Sequence, residues 1–583
     1  MKHFFSWMRG CTLAALLIHL WLAGPAARAQ APAWQTVIAA NQNRGDYSTI
    51  KATVTDASGN VYLVGDFGGT VHFDSITLVC SGGDTDIFIA KWSPITGFVW
   101  AKRAGGNSLD YAEAVAINGT DIYVAGTFAS NTADFGSSIL TNANATTTPV
   151  GDMFVTKLTD AGTSANFIWS LRAGGPYDDG ATGIAVNGAS IYVVGSFSDT
   201  ANFGSVVLTS AGRNDAFVAK LVDAGPNGSF SWVQRAGGPS FERLNAVAIN
   251  GTSIYVTGTF SSALADFGSS ILNSIGSYYD VFITKLTDAG TTSSFTWTKQ
   301  AGGTGWDEAF DIAVNGANVY VVGEFSGTSA TFGNTTVTNT GNSVTYDAFV
   351  TKIIDSGSTS NFSWTQQAGG PLNDQVYAMA VHGSSLYLTG GFGGPTALFG
   401  STMLTNASGT LNPSHDIFTA KLLDTGTSGN FAWVQQAGSS IADEAYALAV
   451  SGATIYVGGT VASPASFSSI TVNSPNLYRV AFLASLTDPT LIATTAAQGS
   501  LPFTLAPNPA RAATTLTLPA MPGAPTATLT LTDALGRTLH TTTVALPAAG
   551  LRHPLDLSGL APGLYAVQVR AGSTTSTQRL VVE

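Results

Sequence analysis

One short pattern, Ile-Tyr-Val-x-Gly-x-Phe, returns along most of the chain and constrains its fold more than any other feature. Its tyrosines are Tyr62, Tyr123, Tyr192, Tyr255, Tyr320, Tyr387 and Tyr456, spaced 61 to 69 residues apart. A second series, Trp34, Trp100, Trp169, Trp232, Trp297, Trp364 and Trp433, gives the same count of seven. Units repeated at such a period bury their apolar faces against one another. Each repeat holds four strand-like runs. In the fourth, Asn245 to Ile249 is short and apolar, Asn250-Gly251 is a turn pair, and Ile254 to Phe260 returns as a hairpin partner. A longer stretch carries Asp266-Phe267-Gly268 before Asp280 to Leu286 and Phe295 to Gln300 complete the unit. Four short strands in seven copies predict an all-β, seven-bladed β-propeller. Period-2 alternation and frequent glycine exclude a helical solenoid, and the repeats are too long and uneven for a β-helix.

The phase of the repeat predicts how the ring closes. The Ala-x-Ala-Val runs carry one alanine in every copy, at Ala52, Ala116, Ala185, Ala248, Ala313, Ala380 and Ala449. Small side chains suit the innermost strands, where seven chains converge. The Trp strand is then outermost. The first Trp strand, Trp34 to Ala39, precedes any inner strand, and the last copy ends at Leu486 with no Trp strand behind it. The N-terminal strand is therefore expected to act as a latch that completes the last blade.

The two ends read differently from the repeats. Residues 1–29 form a signal peptide, with Lys2 and Arg9, an apolar run from Thr12 to Gly24, and Ala27-Arg28-Ala29 as the cleavage site. The run is short for a transmembrane helix, and no later stretch of that length is free of polar interruption. Residues 30–488 are expected to form the propeller, 489–502 a linker rich in Ala and Thr, and 503–583 a small Ig-like β-sandwich of seven short strands. Cys80 alone remains after the leader, so packing and not a disulfide must hold the mature chain. The formal net charge is −12 and the leader carries only cations, so the mature chain is more acidic still. A sparsely charged acidic surface argues against nucleic acid as partner.

The pattern DAFVAKL, FSWVQRAGG, AVAINGTSIYVTGTF resembles the bacterial β-propeller repeats of the SBBP type, over roughly residues 31–488. That resemblance implies a fold and says little of function. At the C-terminus, Ala506-Pro507-Asn508-Pro509, then Asp533-Ala534-Leu535-Gly536-Arg537, then Leu560-Ala561-Pro562-Gly563-Leu564-Tyr565 resemble the type A C-terminal sorting domain of the type IX (Por) secretion system of Bacteroidetes. The resemblance implies passage through the periplasm and recognition by the type IX machinery. It also implies release outside the cell or attachment to its outer surface. The chain departs from that family by ending on Glu583. The sorting residues carried over are Pro507, Asn508, Pro509, Asp533, Gly536, Arg537, Gly563 and Tyr565.

A residue present in every blade serves the blade, and a function of this protein should break the symmetry. Asp86, Asp152, Asp215, Asp280, Asp347 and Asp416 recur with a Lys five residues on, read as turn-capping acids with snorkelling lysines. A second acidic series is Asp110, Asp179, Glu242, Asp307, Asp374 and Asp443, joined by Asp46 if two residues are inserted before it. Two readings are open for it: acids held by backbone N–H groups of their own turns, or a ring around one channel mouth that takes a cation such as Ca²⁺. No catalytic triad, metal-ligand spacing or phosphate loop is visible, and no cofactor is otherwise expected. The symmetry-breaking loops carry Tyr177, Phe241, Tyr278, Tyr279, Trp306 and Tyr346, which suit a glycan or protein ligand. The expected function is a non-enzymatic secreted or surface binding module. The alternative is an extracellular polysaccharide- or peptide-processing enzyme, a hydrolase or lyase, using the same face.

Overall fold

Val, Ile, Thr and aromatic residues dominate the repeats, and every named element of the chain is a β-strand. The computed structural model describes residues 31–583 apart from 83, 137, 145–149, 269, 277, 409–413, 475–478, 492–502, 520–525, 534–537, 548–549, 572–573 and 583. The leader, most of the expected linker, and Gly536 and Arg537 lie outside the described residues. Two units result, Met1–Thr487 and Asp488–Glu583.

The first unit opens with β1 (Trp34–Ala39) and β2 (Asn41–Gln42), followed by β3 (Tyr47–Thr55) and β4 (Val61–Gly68). A small hairpin, β5 (Thr70–Phe73) and β6 (Ile76–Val79), leads to β7 (Asp86–Ser93) and β8 (Gly97–Ala104). The antiparallel sheet β3-β4-β7-β8 sets an order that recurs. The first strands of the next six sheets are Asp110–Asn118, Gly180–Asn187, Glu242–Asn250, Asp307–Asn315, Asp374–His382 and Glu444–Ser451. The seventh sheet takes its fourth strand from the start of the chain. There β1 pairs with Val480–Thr487, placing Val37 opposite Ala484 and Ala39 opposite Phe482. Each first strand packs beside the next, and the seventh packs beside β3.

The core lies between neighbouring sheets. Tyr255, Val281 and Trp297 of the fourth sheet pack with Ala309, Val319 and Phe325 of the fifth, and equivalent clusters fill other junctions. Each large side chain so buried contributes about 1.5–3 kcal/mol. Ala-Gly-Gly stands at the end of the fourth strand in the first five sheets, and Ala437-Gly438-Ser439 in the sixth, because a side chain on the first glycine has no room. Gly302 has φ +142°, and a Cβ on it would lie 2.4 Å from Asp280 Oδ1 and 2.7 Å from Asp307 Oδ2.

The strand register corrects two expectations about the first copy. Trp100 faces Lys91 across the ladder, whereas Trp34 faces Leu486 and it is Thr36 that faces Ser485. Trp34 therefore stands in the phenylalanine column of Phe98 and Phe431, packing edge-on against Phe467 at 5.2 Å. Likewise Tyr123 faces Ala116, but Tyr62 faces Val54, so Ala52 is displaced by two positions from the alanine column.

The second unit is two antiparallel sheets. Thr504–Ala506, Ala513–Leu518 and Leu551–Asp556 form one; Thr538–Ala545, Thr526–Asp533, Gly563–Ala571 and Thr574–Val582 form the other. Phe503, Leu516, Leu529, Val567, Val569 and Leu580 fill the space between them. Among the described residues no helix is long and apolar enough to cross a membrane.

Candidate functional site

Residues that recur in every sheet do local work. Asp110 Oδ2 accepts the Gly106 N–H and the Ser130 hydroxyl, each at 2.7 Å. The matching N–H reaches Asp179 at 2.7 Å, Glu242, Asp307 and Asp374 at 2.6 Å, and Asp443 at 2.5 Å. All six acids are buried. Asp46 does not occupy the seventh place. Ser48 faces Phe67 where Asp110 faces Phe128, and half-buried Asp46 accepts the Thr70 N–H at 3.0 Å. Among the described residues no three carboxylate, His or Cys side chains converge as a metal ion requires.

Each of these acids has a neighbour from the first acidic series, as Asp280 and Asp307 have at Gly302. Arg103, Arg172 and Arg235 neutralise that neighbour at Asp86, Asp152 and Asp215. At Asp280, Asp347 and Asp416 the partner is neutral, being Gln300, Gln367 or Gln436. Burial pushes Asp280 and Asp307 up to about 7, with their mutual repulsion adding to the shift of Asp280.

The lysines do not snorkel. Lys220 Nζ is 2.6 Å from Asp288 of the next sheet, with both side chains 7% exposed. Tyr192 Oη donates to Asp288 Oδ2 at 2.6 Å and Trp232 Nε1 to Oδ1 at 3.1 Å. The same clasp joins Tyr62, Lys91 and Trp100 to Asp160, and recurs at Asp223, Asp355 and Asp424. These contacts hold sheets together and carry no chemistry.

The symmetry breaks at the start of the first strands. Every first strand has a β-bulge three residues after the buried acid or Ser48, at Lys51, Glu113, Thr182, Asn245, Phe310, Tyr377 and Tyr446. A bulge re-aims its side chain, and these seven line a cavity of about 190 Å³ among the first strands. Lys51 Nζ lies 5.0 Å above Tyr446, which contacts Tyr377 at 5.2 Å, which contacts Phe310 at 5.3 Å. Polar residues, Glu113, Thr182 and Asn245, fill the other side.

A larger cavity of about 510 Å³ shares Glu113 and Thr182 with the first and lies at the N-terminal ends of the first strands of the second to fifth sheets. Phe241, Tyr279, Arg243, Glu308 and Asp178 are among its walls. The structure thus brings four of the six sequence-predicted aromatics together. Phe241 lies 6.4 Å from Tyr279, which lies 4.9 Å from Trp306, which lies 5.5 Å from Tyr278. Arg213 covers Phe241 at 5.2 Å. Tyr346 is half-buried near Glu308 and Glu324, whose charges and its burial raise its phenol. Tyr177 stands exposed, next in sequence to Asp178. Sequence reasoning missed the bulge column, Arg243, Glu308 and Glu324. The available signal was variation: the residues one and three places after each buried acid differ in nearly every copy.

Glu308 faces Glu324 directly across the ladder, the one sheet where two acids meet at this level. Like charges so placed repel. Glu324 is 6% exposed, its Oε2 has no partner, and burial pushes it up to about 8. Further round the ring, His415 Nδ1 meets Glu444 Oε1 at 2.5 Å, and that carboxylate holds the imidazole above its usual range.

In the second unit, Asn508 ties the Pro-Asn-Pro turn to the edge strand. Its Nδ2 donates to Arg579 O at 2.7 Å, and its Oδ1 accepts the Val581 N–H at 2.9 Å. Pro507 O accepts the Thr514 hydroxyl at 2.7 Å, and Pro509 precedes the bridge between Ala510 and Val582. Tyr565 Oη donates to Ala561 O at 2.7 Å, Gly563 opens the strand that carries Tyr565, and Asp533 faces Tyr565 in the ladder.

Residues 504–583 match the family described as Secretion system C-terminal sorting domain. That domain implies export by the type IX machinery to the outer surface or the medium. The chain is 25% identical over 369 residues to the regulatory protein FlaEY of Caulobacter vibrioides, an alignment taking 60% of this chain and 37% of FlaEY. It thus spans little more than a third of that relative's length. Among solved structures it is similar to dimeric latent PorU from Porphyromonas gingivalis, at 10% identity and a TM-score of 0.13, over 67% of this chain and 34% of PorU.

Proposed function

We propose that the first unit is a seven-bladed β-propeller of SBBP-type repeats, latched by its N-terminal strand, that works as a binding module outside a Bacteroidetes cell. Its ligand is a glycan or a protein, taken at the 510 Å³ cavity beside Phe241 and Tyr279. One observation carries this reading: a scaffold that repeats its packing residues in nearly every sheet varies at two columns, and Gly180, Arg243 and Glu308 of one and Glu113 and Thr182 of the other line the same cavity. A cavity of this size with aromatic walls and a few converging polar groups is what a ligand site requires. The sorting domain supplies the route outward.

A second reading has its own observation. Glu113 and Glu308 line the same cavity, and paired carboxylates are the equipment of a glycan hydrolase. A glycan array and a hydrolase screen on the mature chain separate the two. Saturable binding without turnover supports the binding module. Turnover that disappears in Glu308→Gln supports the enzyme. Neither binding nor turnover on either panel, with no effect of Phe241→Ala, removes the cavity as the site.

A further inference from the structure

We infer that the cavity takes a basic side chain, the ammonium of a lysine or the guanidinium of an arginine, presented by an extracellular protein or peptide. This rests on the binding role proposed above and names the class of ligand.

Charge gives the first part of the argument. Asp179 and Glu242 line the cavity but are held by backbone N–H groups. The remaining charged walls are Glu113, Asp178 and Glu308 against Arg243, with Arg213 over Phe241 as the one further cation beside them. Asp178 accepts the Gly151 N–H at 2.9 Å and Glu308 the Asn245 amide at 3.2 Å. Neither bond neutralises its carboxylate. The cavity therefore has an excess of negative charge within low-dielectric walls, which concentrates cations.

The Glu308–Glu324 pair is the second part, and it is independent of the cavity's shape. Burial, with Glu308 directly opposite, keeps Glu324 protonated near neutral pH, and its buried Oε2 has no partner. At the same ladder position the other sheets pair a small or neutral residue with the facing side chain, as with Ser196 opposite Gly180 and Thr259 opposite Arg243. A bound cation at Glu308 lets this paired site carry its full negative charge, whereas a neutral sugar leaves Glu324 protonated.

Shape selects a macromolecule over a free amine. Next to Tyr279 of the cavity wall, Tyr278 and Trp306 stand 46% and 44% exposed. Aromatic anchors around a charged socket describe a protein-binding hot spot. The methylenes of a lysine or arginine would lie along Phe241 and Tyr279, with the charge reaching Glu308 and Glu113.

The test uses the full mature chain and isothermal titration. The probes are an end-blocked ten-residue peptide with two lysines, the same peptide with both lysines acetylated, and neutral oligosaccharides. The lysine peptide should bind, and acetylation should weaken it at least tenfold. Glu113→Gln and Glu308→Gln should each weaken it about tenfold, Arg243→Ala should strengthen it severalfold, and Asp134→Asn on a remote hairpin should leave it unchanged. Equal binding of the acetylated peptide overturns the inference, as does equal weakening by Asp134→Asn, which would mean attraction to the acidic surface. Oligosaccharide binding without peptide binding overturns it while leaving the cavity a binding site. If no probe binds and Phe241→Ala changes nothing on a wider panel, the binding role itself fails.

Discussion

Asp288 receives Lys220, Tyr192 and Trp232 from the neighbouring sheet, and its removal tests what joins the sheets. In Asp288→Asn the turn geometry can persist, because Oδ1 also accepts the Gly290 N–H at 2.9 Å. What disappears is the negative charge 2.6 Å from Lys220 Nζ. Lys220 keeps only the Gly290 carbonyl at 3.0 Å and the face of Tyr192 at 5.9 Å. A buried charge that has lost its partner costs about 3–5 kcal/mol. Lys220→Met leaves Asp288 with three donors and should cost about 1–3 kcal/mol. The double variant removes both charges and should cost less than the sum, with a coupling energy of about 2–3 kcal/mol.

Urea unfolding followed by tryptophan fluorescence measures all three. The pair is shielded from solvent, so 0.5 M NaCl should not abolish the coupling as it would for a surface pair. The lysine, tyrosine and tryptophan bonds outweigh desolvation and hold the Asp288 carboxyl below its usual range. Its contribution is thus present above the ordinary carboxylate range and lost as pH falls through the lowered value. A cost under about 1 kcal/mol for Asp288→Asn, or a double variant equal to the sum of the singles, would refute the clasp as a source of stability.

The buried acids act in the opposite sense to the clasps. Asp280 and Asp307 at about 7, and Asp179 at about 8, bind protons in the folded state that the unfolded chain has released. Stability should therefore fall as pH rises from about 4 to about 8, and Gln300→Arg, copying Arg103, should flatten that slope in melts at pH 5 and pH 8.5. Asp110→Asn should destabilise the protein by about 1–3 kcal/mol in chelator through a weakened charge-assisted bond; a stabilised variant, or a melting rise with millimolar Ca²⁺ that NaCl at equal ionic strength does not match, would restore the cation ring. Truncation after Asp488 should leave a folded first unit that is not exported, checked by circular dichroism and cell fractionation; normal secretion contradicts it. Ser485→Lys alone should lower the melting temperature, and adding Pro94→Asp should recover part of the loss; no recovery means the clasp needs more than its charge pair.

The all-β class and the pairing of the N-terminal strand with Val480–Thr487 were legible because the same tyrosine segment appears seven times with strand periodicity around it. Trp34 misled for a physical reason. Two extra residues separate it from the first inner strand, so counting tryptophans aligned a phenylalanine position with a tryptophan position, and Asp46 and Ala52 were displaced with it. The lysines looked solvated because their partners are distant in sequence: Lys91 and Asp160 meet only when two sheets pack. The aromatics of the cavity were legible as departures from the repeat. Glu113 and Glu308 were not, since each looks like an ordinary strand residue until the bulge and the register place it. Gly536 and Arg537 remain a sequence reading alone.

The junction between the seventh sheet and the first shows what the clasp requires. By strand register, Ser485 stands where the lysine would, Thr36 where the tryptophan would, and Pro94 lies three residues after Lys91, where Asp160 follows Lys157. Lysine, tryptophan and acid are gone together, and of the clasp's four polar members the tyrosine alone, Tyr456, remains. Had the lysine or the acid remained without the other, this junction would bury a lone ammonium or carboxylate, the costliest arrangement open to it. In their place Thr36 and Ser485 share a hydroxyl bond at 2.7 Å, and Trp92 packs edge-on against Tyr456 at 5.8 Å. The fourth strand of this sheet is β1, which arrives from the other end of the unit and is tied to it only through the short turn before β3. A junction closed by hydroxyls and packing does not need three polar groups on two distant segments to meet before any of them is satisfied. The clasp is thus kept where consecutive sheets fold next to one another and absent where the seventh sheet, completed by β1, meets the first.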